Sequence, residues 1–88
     1  MKNTIFSPQA LAEYIDWQQE DRKTLKRINK LISSIHKDGP LSGIGKPERL
    51  KHIDAYSRRI DDANRLVYRV DQNKDLLITS CNGHYDDK

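Results

Sequence analysis

Seven side chains in the second half of the chain carry more chemistry than packing needs: Glu48, Lys51, Arg58, Arg59, Arg65, Arg69 and His84. One carboxylate, several cations and one late histidine are the set used in metal-independent cleavage of RNA. In that reaction a base takes the proton of the ribose 2′-hydroxyl, the oxygen attacks the adjacent phosphorus, and an acid protonates the departing 5′-oxygen. Proton transfer by Glu or His contributes about 10²–10⁴-fold, and a preorganised cation facing the phosphorane contributes about 10²–10³-fold. Tyr85, next to His84, offers an aromatic face of the kind on which unpaired bases stack. Each residue also has a structural alternative. Glu48 and Lys51 form a loop ion pair in that reading, worth under about 1 kcal/mol, and His84 is a surface histidine. Arg58 and Arg59, adjacent in a strand, point to opposite faces, so at most one lines a given cleft.

Other chemistries find no foothold. The stretch "GIGKPE" fails the phosphate-loop pattern twice, with Pro40 where the first glycine belongs and Pro47 where Ser or Thr should follow Lys46. There is no G-x-S-x-G elbow, and the single Cys81 reads as a small strand residue and not as a nucleophile. No Cys/His spacing resembles a zinc site, so no metal or other cofactor is expected.

The elements that position these residues are legible from periodicity. "KNTIF" fits a short strand. Ser7 and Pro8 then form an N-cap and first-turn proline. Leu11, Tyr14, Ile15 and Gln18 mark one face of a first helix, with Trp17 beside it; Tyr14 and Trp17 read as core aromatics. Asp21 caps a second helix in which Leu25, Ile28, Leu31, Ile32 and Ile35 recur at helical spacing, and Gly39 and Pro40 end it. A glycine-rich loop leads to "YSRRI", "RLVYRV" and "LLITSC", which read as strands separated by turns. Two N-terminal helices covering one face of a mainly antiparallel sheet make an α+β domain spanning residues 1–88. Alternation places Leu66, Tyr68 and Val70 under the helices and Arg65, Val67 and Arg69 on an open, positively charged face.

With 88 residues the chain suffices for one small core. No stretch approaches the roughly 20 apolar residues that span a bilayer, and no signal-peptide pattern opens it, so a soluble cytoplasmic protein with no membrane contact is expected. Net charge is only +3, yet six basic residues and no acidic one fall between Arg22 and Lys37. That run is either a solvated helix face or the footprint of an acidic partner, nucleic acid or protein. Taken alone, the residues describe a basic α+β domain that binds or cleaves RNA.

The stretches "YIDWQQEDRKTLKRINKLI", "GIGKPERLKH", "YSRRIDDANRLVYRV" and "LLITSCNGHY" together resemble the Txe/YoeB family of bacterial toxins, within the wider RelE-like group. The resemblance covers Met1 to Tyr85 in order. It implies a fold similar to microbial ribonucleases and an mRNA interferase that cleaves messenger RNA in the ribosomal A site. It also implies a Phd/YefM-type antitoxin, operator DNA bound through the antitoxin complex, and a possible homodimer. By the same resemblance, Glu48 is the general base, His84 the general acid and Arg65 the stabiliser of the transition state. Lys51 and Arg59 are phosphate contacts, and Tyr85 positions the substrate. Tyr56 stands where the family commonly has tryptophan, and Asp86, Asp87 and Lys88 extend beyond the usual H-Y ending. The competing reading is a non-catalytic relative of the same fold, a gyrase poison of the ParE type or a DNA-binding co-regulator.

Two structural demands follow. Strict alternation would send Glu48 and Lys51 to opposite faces, so Glu48 is expected in the loop before the strand begins. His84 and Tyr85 reach one cleft only if the tail bends.

Overall fold

A computed structural model of the chain describes residues 1–83. His84, Tyr85 and the expected bend between them lie outside those residues. The order of elements is β1 (Thr4–Phe6), α1 (Pro8–Glu20), α2 (Arg22–Asp38), β2 (Glu48–Arg49), β3 (Tyr56–Arg59), β4 (Arg65–Val70) and β5 (Leu76–Ser80). The sheet runs β1-β5-β4-β3-β2. From β2 to β5 every pairing is antiparallel, the expected meander, while β1 joins β5 in parallel and makes the sheet mixed.

Local chemistry sets the helix limits. The Ser7 hydroxyl accepts from the Ala10 N–H at 3.1 Å, and Pro8 opens the first turn, where its missing N–H costs nothing. Asp21 serves both helices. Its N–H closes α1 onto the Trp17 carbonyl, while its carboxylate accepts from the Lys23 and Thr24 N–H groups and the Thr24 hydroxyl. The Thr24 hydroxyl and N–H bonds hold the Asp21 carboxyl below its ordinary value. Gly39, at φ +93°, ends α2 with its N–H on the Ile35 carbonyl.

The core lies between the helices and one face of the sheet. Ala10, Ile28, Leu31 and Ile35 meet Ile60, Leu66, Tyr68, Leu76, Ile78 and Cys81, and each buried Leu or Ile contributes about 1.5–3 kcal/mol. The inward stripe of α1 differs from the expected one. Ala10 is buried and Tyr14 and Trp17 pack on the core, whereas Leu11 and Ile15 are about half exposed. The Ser7–Pro8 cap fixes the helix phase, and the larger aromatics take the inward positions one residue off the aliphatic ones. The far face of the sheet is not wholly open either. Val67 is buried beneath Leu50 and Ala55, a second small apolar cluster contributed by the segment around β2 and β3.

Candidate active site

Strand register assembles the site. Residues directly opposite in an antiparallel pair project from the same face. Glu48 pairs with Ser57, Ser57 with Val67, and Arg59 with Arg65. By alternation Ser57 and Arg59 share a face, so Glu48, Arg59 and Arg65 all lie on the side of the sheet away from the helices. Arg65 Nη1 stands 3.9 Å from Glu48 Oε1, and the Ser57 hydroxyl donates to the same oxygen at 3.5 Å. Arg65 is largely enclosed, its side chain 18% exposed against 61% for Glu48. A carboxylate open to solvent thus faces a shielded cation.

The electrostatics are unfavourable in isolation. Two guanidinium groups occupy directly opposed positions, an arrangement that costs stability in a sheet. The Nε of Arg59 is buried and has no hydrogen-bond partner among the described residues. A buried donor left unmade costs about 1–3 kcal/mol. The Arg59 backbone is held at both ends, its N–H donating to the Gly45 carbonyl at 2.7 Å and its carbonyl accepting from Arg27 Nη2 at 3.3 Å.

Glu48 does not sit in the loop as the alternation argument requires. It is the first residue of the two-residue strand β2. The strand ends at Arg49, however, so its alternation never reaches Lys51. That residue lies in an exposed bend after Leu50 turns inward, a bend closed by the exposed Arg49–Asp54 ion pair at 3.0 Å. The structure therefore brings Glu48, Arg59 and Arg65 together and leaves Lys51 on the adjoining bend. Arg69 is exposed farther along the same face of β4.

Arg58 leaves the candidate set. It points to the helix side, fully buried, with all five of its N–H bonds placed. Nε donates to the Tyr68 hydroxyl at 2.9 Å. Nη1 donates to Ser34 Oγ and the Ile44 carbonyl, each at 2.9 Å, and Nη2 to the Gly39 and Ser42 carbonyls at 2.7 and 2.5 Å. Tyr68 passes the network on to the Pro40 carbonyl at 2.6 Å. One side chain thus supplies hydrogen bonds for a loop that has no regular structure, the loop from which Glu48 emerges. The glycine at position 43 belongs to this packing: at φ +105°, a Cβ there would stand 2.1 Å from Ser34 Oγ. Alternation limits the Arg58–Arg59 pair to one cleft residue, and it is the resemblance, not the pattern, that names Arg59.

Cys81 is fully buried, and burial pushes its thiol up to about 12. It is a neutral core group, its thiol directed to the Ala10 carbonyl at 3.7 Å. His36 is tied to the Thr4 hydroxyl at 2.7 Å, a link between α2 and β1.

The end of the described chain is fastened to the same site. The Gly83 carbonyl accepts from the Arg65 N–H at 3.0 Å, and the Gly83 N–H donates to Asn64 Oδ1 at 2.8 Å. Asn64 is itself held by Asp61, whose carboxylate accepts from the Ala63 N–H, the Asn64 N–H and the Asn64 side chain. Partial burial pushes the Asp61 carboxyl up, but those hydrogen bonds prevail and hold it below the ordinary range. It stays charged above that range, and the turn loses this support only as pH falls through the lowered value.

A family model described as the YoeB-like toxin of bacterial type II toxin-antitoxin system matches residues 6–85. A toxin YoeB of Synechocystis sp. is 53% identical over 75 residues, covering 83% of this chain and 85% of the relative. A heterotetrameric YoeB–YefM toxin–antitoxin complex from Staphylococcus aureus contains a chain 52% identical, superposing at a TM-score of 0.86 over 94% of this chain and 97% of its own. The YoeB dimer from the same organism superposes at 0.88 with 49% identity and the same coverage. With a family match across nearly its whole length and relatives this similar, the chain belongs to the YoeB-like toxins of bacterial type II toxin–antitoxin systems.

Proposed function

We propose that the protein is a ribosome-dependent endoribonuclease that cuts messenger RNA in the A site and so inhibits translation. The observation that carries this reading is the cross-strand grouping of Glu48 with Arg65 and the unsatisfied Arg59 Nε on one face. Glu48, solvent-accessible and opposite a shielded cation, is the base that removes the ribose 2′-hydroxyl proton. The 2′-oxygen then bonds to phosphorus. Arg65 and Arg59, with Lys51 on the adjoining bend, bind the phosphorane oxygens as charge builds there. His84 donates a proton to the 5′-oxygen as the P–O bond breaks, leaving a 2′,3′-cyclic phosphate and a 5′-hydroxyl, and Tyr85 holds the substrate. No metal enters these steps.

A second surface fits the ribosome. Lys23, Arg27, Lys30 and Lys37 line one flank of α2, and the Arg27 contact to the Arg59 carbonyl joins that flank to the β3 side of the catalytic face. Such a continuous basic surface suits an RNA-rich partner, with salt-dependent affinity. The same cations suit an acidic segment of a YefM-type antitoxin, with operator DNA engaged through that complex, and a homodimer is the proposed free form. The proposed site of action is the cytoplasm; among the described residues no helix is long and apolar enough to cross a membrane.

Primer extension on a message translated in a purified system tests the reading, comparing programmed ribosomes with naked RNA. Discrete cuts at A-site codons, lost in Glu48→Gln and in His84→Gln, are expected. Intact message under both conditions would overturn the nuclease and favour the non-catalytic relative.

A further inference from the structure

The reaction above needs an acid placed to better than about an ångström, and the acid it assigns follows Gly83 directly in sequence. The backbone just before it is gripped twice. At Cys81, both backbone groups are bound by α1: the N–H donates to Glu13 Oε1 at 2.8 Å, and the carbonyl accepts from Trp17 Nε1 at 2.9 Å. At Gly83, both are bound by the β3–β4 turn and the first residue of β4, through Asn64 Oδ1 and the Arg65 N–H. Three of the four partners are not sheet ladder groups but side chains of Glu13, Trp17 and Asn64.

We infer that Asn64 is a positioning residue of the catalytic site, its side-chain carbonyl latching Gly83, the residue that precedes the assigned acid in sequence, beside Arg65. The inference rests on the nuclease reading for its catalytic consequence and on the geometry alone for the latch. Asn64 suits the task because each end of its amide is engaged. Its Nδ2 donates to both Asp61 carboxylate oxygens, at 3.1 and 3.2 Å, which leaves Oδ1 aimed at Gly83. Gly83 suits it because at φ +89° it turns the chain in a conformation that a side chain would strain. Arg65 ties the two functions together, since its guanidinium faces Glu48 while its own N–H holds Gly83. Base, transition-state cation and the origin of the acid-bearing tail are thereby referred to one residue of β4.

The test is Asn64→Ala, a change at a partly exposed turn that keeps the Ala63 and residue-64 N–H bonds to Asp61, the ladder and the core in place. Amide exchange at Gly83 is expected to accelerate at least tenfold while that of the core strands stays unchanged. Single-turnover cleavage on programmed ribosomes is expected to fall at least tenfold with ribosome binding unaltered. The decline of rate at high pH, which a working general acid imposes, should flatten. Unchanged Gly83 exchange would overturn the latch. Faster exchange with an unaltered rate and pH profile would overturn its catalytic role. Failure of the wild-type protein to cleave would overturn the nuclease reading, and the Gly83 exchange would then still decide the latch by itself.

Discussion

Replacing Arg58 tests whether one buried guanidinium holds the loop that delivers Glu48. Arg58→Met keeps much of the side-chain volume and removes five donors. The Gly39, Ser42 and Ile44 carbonyls and the Ser34 and Tyr68 hydroxyls all lose a partner. A buried group left unpaired costs about 1–3 kcal/mol. Three carbonyls at the low end give a loss of about 3 kcal/mol, since the hydroxyls keep other bonds and removing a buried charge offsets part of the total. In a domain of this size that is a fall of roughly 12–24 °C in Tm. Urea unfolding of the purified protein measures the loss, and Arg58→Lys separates charge from geometry. A lysine ammonium carries the charge but, with three donors at one point, cannot span acceptors spread from Gly39 to Tyr68, so a loss of at least about 2 kcal/mol is expected there too. Amide exchange should also quicken at Ile44 and Arg59, whose N–H groups bond to Ser34 Oγ and the Gly45 carbonyl. An Arg58→Lys protein within about 1 kcal/mol of wild type would refute the reasoning, because any cation would then serve.

Function should cost stability on the opposite face. Arg59→Met removes a cation directly opposed to Arg65 together with a buried unpaired Nε, so it should raise stability by about 0.5–1 kcal/mol, or roughly 2–8 °C in Tm, while lowering cleavage at least tenfold; a destabilised variant would contradict this. Cys81 should resist alkylation at pH 8 in the folded protein and react once urea unfolds it. Its proton is held more tightly in the folded state, so its contribution to stability is intact below the ordinary thiol value near 9 and is lost as pH rises towards about 12. Urea unfolding at pH 8 and pH 10.5 should therefore show a steeper alkaline loss for wild type than for Cys81→Ala, and equal losses would count against it.

Both helices and four of the five strands are readable because each depends on neighbours in sequence, while β2 reads as loop. Ser7–Pro8 and Asp21 act within one turn, and the repeat from Ile28 to Ile35 follows helix geometry. Phase was harder. Tyr14 and Trp17 are legible as core aromatics, whereas placing Leu11 and Ile15 inward follows hydrophobicity alone, and nothing local shows that Trp17 finds a partner at the Cys81 carbonyl, 64 positions away. The cover over Val67 was equally hidden, since it depends on Leu50 turning back over the sheet after a strand only two residues long.

The candidate residues stand out by type and by resemblance, but the groups that hold them do not, and the reason is physical. Groups proposed for proton transfer or phosphate contact must be ionisable or charged, so Glu48, Arg59 and Arg65 stand out in any pattern. Supports act through backbone carbonyls and N–H groups that every residue possesses, and so leave no trace in composition. Asn64 looked like one more turn residue in "DDAN", and Arg58 like one half of an arginine pair. Register gives both their roles: it turns Arg58 beneath the helices and sets Asn64 next to the residue that receives the chain's end. Opposed arginines on one face cost up to about 1 kcal/mol, offset in part by the Glu48 carboxylate 3.9 Å from Arg65 Nη1. Arg58 holds the loop at Gly39 and Ser42 and Asn64 holds Gly83, so the cost of two facing cations is borne by a scaffold fastened on both sides of them.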